Sequence, residues 1–116
     1  MSASDKKISL SEATTWTTNW RNAPSTSARA FLIPVQDLQG ALTEMGNPTD
    51  PNACIRAYLG IDPSSGEEKL IIVGTEIDKS GVYRDLLPDG DGTNGNSIWD
   101  FTRPCPIFCD DQSDLN

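Results

Sequence analysis

The chain has 116 residues, 17 acidic against nine basic side chains, and a net charge of −8, which makes it one domain long and strongly anionic. Affinity for nucleic acid and for anionic membrane surfaces comes largely from clustered Lys and Arg, and here those residues are few and scattered, so neither is expected as a partner. The absence of histidine removes Ser-His-Asp and Cys-His catalysis, histidine zinc sites and the commonest general base.

The expected result of a gel shift with random duplex DNA at physiological salt is no complex at micromolar protein; a clear micromolar shift would contradict the charge argument. At this length roughly two thirds of the unfolded chain's surface can be buried, so no metal or disulfide is required merely to fold. A single domain over residues 1–116 is expected, with residues 1–7 as a disordered polar tail and 110–116 as an acidic tail. The first seven residues lack the apolar stretch of a signal peptide, and no apolar run approaches a membrane span. With Met1 as the start, a cytoplasmic protein with reduced cysteines is the expectation.

In chain order, Ser9-Leu10-Ser11-Glu12 has the form of a capping box. Leu10, Ala13, Trp16, Thr17 and Trp20 follow at helical spacing, predicting a helix over 9–21 that buries both tryptophans on one face. Its threonines are weak helix formers, so packing has to support it. After a loop containing Pro24, residues 30–33 form a short apolar run, a predicted strand. Pro34 then opens a second helix as its first residue, with Val35, Leu38, Ala41, Leu42 and Met45 as its apolar stripe and Gly46 and Pro48 as its stop.

Residues 53–61 alternate. Ala53, Ile55, Ala57, Leu59 and Ile61 point one way, and Cys54, Arg56 and Tyr58 the other. Residues 69–77, KLIIVGTEI, are β-branched and apolar on both faces, which predicts a central strand. The polar linker DPSSGEE makes the pair an antiparallel hairpin. Ile98 to Phe101 reads as one more short strand. The expected fold class is therefore α+β: two N-terminal helices packed on one face of a small, mostly antiparallel sheet, followed by an irregular C-terminal third.

Four features hold potential chemistry. Residues 89–96, DGDGTNGN, place oxygen ligands at alternating positions like a calcium loop, but Asn94, Asn96 and Asp100 occupy the sixth, eighth and twelfth positions, where that loop needs Gly, an apolar residue and Glu. They read as a flexible turn, and no metal or cofactor is expected. Arg56 and Tyr58, with Arg103 or Arg84, form a candidate binding face able to grip carboxylates; the plainer alternative is an outer face of ion pairs. The tryptophans could stack on a ligand or fill the core.

The fourth feature is Cys105-Pro106-Ile107-Phe108-Cys109. Zinc needs four donors, and Cys54, Cys105 and Cys109 supply three, with Asp110 as an uncommon fourth. A thiol-disulfide centre usually spaces its cysteines one residue closer, at a helix N-terminus. A structural fastening of the chain's end, with Phe101, Ile107 and Phe108 as apolar anchors, is the preferred reading.

One resemblance covers about half the chain. Arg56, Tyr58, Gly60 and Ile61 in one strand, Leu70, Ile71, Val73 and Gly74 in the next, and the end Asp100-Phe101-x-x-Pro104-Cys105-Pro106-x-x-Cys109 resemble a group of small hypothetical proteins from Bacteroidetes. The resemblance implies a shared fold and no mechanism. The function expected from the residues is a non-catalytic binding or interaction module, taking a protein partner or a second copy of itself. The competing expectation is a thiol-dependent redox protein or sensor using Cys105 and Cys109.

Overall fold

A computed structural model describes residues 7–89 and 94–116. The element order is α1 (Leu10–Asn22), β1 (Ala30–Leu32), α2 (Val35–Glu44), β2 (Ile55–Ile61), β3 (Glu68–Ile77), β4 (Tyr83–Asp85) and β5 (Arg103–Cys105). The mixed α+β class is as expected, and every strand pair is antiparallel. The strands form two sheets, β2-β3-β4 and β1-β5.

The capping box forms as the sequence predicts. The Glu12 amide donates to Ser9 Oγ at 3.0 Å and the Ser9 amide to Glu12 Oε1 at 3.3 Å. The threonines turn inward on their own helix: Thr14, Thr15 and Thr17 donate to the carbonyls of Leu10, Ser11 and Ala13, the back-bonding that lets Thr persist in a helix interior. At the end of α2, the Asn47 amide reaches the Leu42 carbonyl at 2.8 Å and the Gly46 amide the Thr43 carbonyl at 3.0 Å. This is the Schellman closure, and Gly46 takes the left-handed conformation it requires (φ 83°). Pro34 caps this helix rather than entering it.

β3 is the central strand of its sheet. β2 pairs with residues 68–74 on one side, in the register Ile55↔Gly74 to Ile61↔Glu68. On the other side β4 pairs with residues 75–77. Trp99 continues that flank through reciprocal backbone bonds with Ile72, and Thr102 Oγ1 then accepts from the Leu70 amide and donates to its carbonyl. The strand predicted over 98–101 is thus a single bridge. The strands the sequence did not reveal are β4 and β5, the second pairing with β1 in the register Ala30↔Cys105.

α2 packs on β3. A methyl group built on Gly74 would fall 2.7 Å from Met45 Cγ, and one on Gly40 would overlap the Trp99 indole, so both glycines permit close approach. Ile72 and Val73 are almost fully buried, as are Ala41 and Thr102. The sheet face expected to receive both helices receives α2. The tertiary bonds of α1 go elsewhere: Trp20 Nε1 donates to the Ala28 carbonyl at 2.9 Å and Arg21 Nη1 to the Leu115 carbonyl at 2.8 Å.

The expected burial of both tryptophans in α1 is corrected. The helix has no buried residue, and Trp16 is 58% exposed and Leu10 61%. Both the Trp20 and Arg21 bonds lie at its C-terminal end, and Ala13, Thr14, Thr17 and Thr18 are only half-buried. Among the described residues, no helix is long and apolar enough to cross a membrane.

Candidate functional site

The predicted face of Arg56 and Tyr58 exists, on the side of the sheet away from α2, and its partner is internal. Arg56 Nη1 lies 2.6 Å from Asp85 Oδ1 and donates to the Tyr83 carbonyl at 2.9 Å. The Tyr58 hydroxyl donates to Asp85 Oδ2. A carboxylate from β4 therefore ties together two side chains from β2 across the intervening strand. The Tyr58 hydrogen bond, and then Arg56, hold the Asp85 carboxyl below the usual carboxylate range, while the same bond raises the Tyr58 phenol.

Arg103 belongs to the other sheet, where its guanidinium lies 5.2 Å from the Phe108 ring centroid. Arg84 pairs with Asp78 at 2.7 Å. The structure thus does not bring Arg103 or Arg84 to Arg56 and Tyr58; Arg56 and Arg84 are ion-paired, while Arg103 lies over Phe108. A group with a depressed folded pKa stabilises above its unfolded value, and the effect is lost as pH falls through the folded value. Replacing Asp85 by Asn is expected to cost about 1 kcal/mol at neutral pH. That cost should shrink as pH falls below 3.8 towards the lower folded value. Urea midpoints of the two proteins at pH 7 and pH 3 check this; a difference independent of pH would refute it.

Asp37, on α2, is buried with 1% exposure, and nothing in the helical pattern marks it. It accepts from the Phe101 amide at 3.2 Å, which explains why a carboxylate is tolerated there. Burial, with Asp100 nearby, pushes its carboxyl upward despite that hydrogen bond. Among the described residues no group of three or more His, Cys, Asp or Glu side chains could hold a metal ion. The predicted calcium-like turn lies partly outside the described residues, at 90–93. Of its described part, the Asn94 and Asn96 side chains donate to the Leu87 carbonyl.

At the chain's end, the Cys105 and Cys109 sulfurs lie within disulfide-bonding distance of each other. Cys105 is 3% exposed and its carbonyl accepts from the Arg29 amide. Arg29 Nη2 contacts Cys109 Sγ at 3.5 Å and Asn116 Oδ1 at 3.2 Å. These residues line a cavity of about 250 Å³ with Phe31, Phe108 and Leu115. Cys54 is an exposed free thiol far along the sequence, on the approach to β2.

The fastening works differently from the expectation. Ile107 is 82% exposed, Phe101 69% and Phe108 38%, so the expected apolar anchors are not the buried side chains. The buried ones are Thr102, bonded to Leu70 of β3, and Pro104 and Cys105 of β5. Phe108→Ala should accordingly cost only about 1 kcal/mol and Ile107→Ala less than about 0.5 kcal/mol. Urea midpoints decide, and a loss of about 3 kcal/mol or more at Phe108 would restore the original expectation.

An open apolar feature lies at β2. This strand is the edge of its sheet. Leu59 and Ile61, on the α2 side, are 75% and 70% exposed, because α2 covers only the Gly74 end of that face. On the opposite side, Gly60, Asp62, Pro63, Lys69, Ile71, Ile98 and Asp100 line a cavity of about 430 Å³. The period-two pattern of β2 revealed an apolar face; it could not reveal that, among the described residues, no element covers Leu59 and Ile61.

No protein-family model matches the chain, and neither a curated protein nor a solved structure shows significant similarity to it.

Proposed function

We propose that the chain is a non-catalytic interaction module that docks a protein along the free edge of β2. The observation that supports this best is the exposure of Leu59 and Ile61 on an unpaired edge. Natural edge strands are usually blunted by Lys, Pro, a bulge or a covering element. Residues 55–61, IRAYLGI, contain none of the first two, and the pairing to β3 is continuous over all seven residues. An open, regular, apolar edge is the form used for strand addition by a partner. Arg56 and Tyr58 are engaged with Asp85, so their role is to hold the strand rather than to grip a ligand. The proposal includes a cytoplasmic setting, no nucleic-acid partner and a place in the Bacteroidetes group whose motifs the chain resembles.

The thiol reading is favoured by one contact, Arg29 Nη2 beside Cys109 Sγ, because a neighbouring cation stabilises a thiolate. One experiment separates the two. Random decamers displayed on phage are selected on the immobilised chain, and the selected peptides are retested on Leu59→Lys and on the Cys105→Ser, Cys109→Ser pair. The interaction module requires that binding fall at least about tenfold with Leu59→Lys and persist in the serine pair. Failure to select any peptide, or peptides indifferent to Leu59→Lys, would remove the proposal; loss only in the serine pair would favour the thiol.

A further inference from the structure

We propose that the edge of β2 takes an extended segment carrying a single Lys or Arg between two apolar residues, with the cation entering the cavity beside Gly60. The inference rests on the reading of β2 as a docking edge and adds the chemistry of what docks there.

The geometry follows from the sheet. Directly opposed residues of neighbouring strands share a face, and successive residues alternate. Gly60 opposes Lys69, and Tyr58 opposes Ile71, so Gly60, Lys69 and Ile71 lie on the cavity side. Leu59 opposes Leu70 and Ala57 opposes Ile72, which puts them on the α2 side. A strand added outside β2 must obey the same alternation. Its residue opposite Gly60 faces the cavity, while the residues on either side of it face Leu59 and Ile61 and cover them. The pattern demanded of the partner is apolar, cavity-directed, apolar.

The cavity selects the central side chain. Gly60 has no side chain to close its outer wall, and a methyl group there would fall 2.9 Å from Ile71 Cδ1. Ile71, Ile98 and Pro63 supply apolar walls and Asp62 and Asp100 carboxylates. A long aliphatic stem with a cationic head matches that division, since Lys and Arg lay their methylenes on apolar surface and keep the charge near polar groups. The cavity's own cation is already engaged: Lys69 Nζ lies 3.4 Å from Glu67 Oε1 and 3.2 Å from the Thr102 carbonyl. The Asp62 side chain is set by its bonds from the Ser64 amide and hydroxyl at 2.9 and 2.7 Å. The net charge of −8 favours a cationic segment and opposes a second copy of the chain.

The test uses the full chain and blocked, fluorescein-labelled nine-residue peptides, serine-rich around a central Val-Lys-Val, Val-Ala-Val or Val-Glu-Val. Fluorescence anisotropy should show the lysine peptide binding at least tenfold more tightly than the glutamate peptide, with alanine between. The preference should fall by at least fivefold in the Asp62→Asn, Asp100→Asn pair, which keeps the acceptor to Ser64, and should weaken with added salt. Amide shifts for the lysine peptide should concentrate on residues 55–61. Equal affinity for all three peptides, no binding by any, or shifts elsewhere would overturn the inference. So would a dimer of the chain alone that Leu59→Lys disperses while the peptides fail to bind. The edge reading is judged separately: displayed decamers lost with Leu59→Lys but not enriched in Lys or Arg leave it standing and remove only the cation.

Discussion

Thr102→Val should lower the unfolding free energy by about 2–4 kcal/mol, more than any single charge on the surface contributes. Thr102 has no solvent exposure, and its hydroxyl both accepts from the Leu70 amide at 2.8 Å and donates to the Leu70 carbonyl at 2.7 Å. One side chain thereby takes the place of a missing strand residue beside β3. Valine keeps the shape and removes both bonds, leaving a part-buried amide and carbonyl unpaired at about 1–3 kcal/mol each. Thr102→Ser, which keeps the hydroxyl, should recover most of the loss. Urea unfolding of the two variants checks this, and a Val midpoint at or above that of Ser would overturn the hydroxyl argument.

Ile72→Ala should cost about 3–4 kcal/mol, within the range for truncating a fully buried aliphatic side chain. Ile72 is 1% exposed and its backbone exchanges hydrogen bonds with Trp99, whose ring lies against Gly40 of α2. The cavity left at Ile72 therefore lies where α2, β3 and the Trp99 segment meet. Trp99 is held further by its Nε1 donating to Glu44 Oε2 at 2.9 Å, which limits its freedom to collapse into the space. With total stabilities of 5–15 kcal/mol typical of such domains, either substitution would remove a large share. Trp16→Ala, by contrast, should change stability by less than about 1 kcal/mol, since that ring is 58% exposed. Thermal or urea unfolding of the pair orders the two; a larger loss at Trp16 would mean that α1 carries packing it does not show.

Carboxylates do different work at different depths. Asp85, accepting from Tyr58 and Arg56, is held ionised and stabilises at neutral pH. Asp37, buried at the α2–Phe101 junction, is pushed the other way. A raised carboxyl pKa contributes stability that is present below about pH 3.8 and lost as pH rises through the folded value, so the two groups oppose each other across the acid range.

The local elements were legible because local rules decide them. Ser9 with Glu12 set the start of α1, Gly46 with its positive φ ended α2, and the linker between residues 61 and 68 made β2 and β3 an antiparallel hairpin. The apolar run of β3 also marked the central strand of the sheet, since a strand apolar on both faces is suited to burial on both.

What remained was decided by contacts between residues far apart in sequence. β5 is only three residues long and contains a proline, so nothing in its pattern announces a strand; its pairing with β1, more than 70 positions earlier, creates it. Periodicity shows which side of an element is apolar but not whether another element arrives to cover it. That is why Trp16, Leu59 and Ile61 read as core in the sequence and lie open in the fold. The same limit hid Asp85 as the partner of Arg56 and Tyr58, and joined Asp62 to Asp100 in one cavity. A charge's partner is fixed by register and chain path, which are global properties, whereas caps and turns need only a few neighbouring residues.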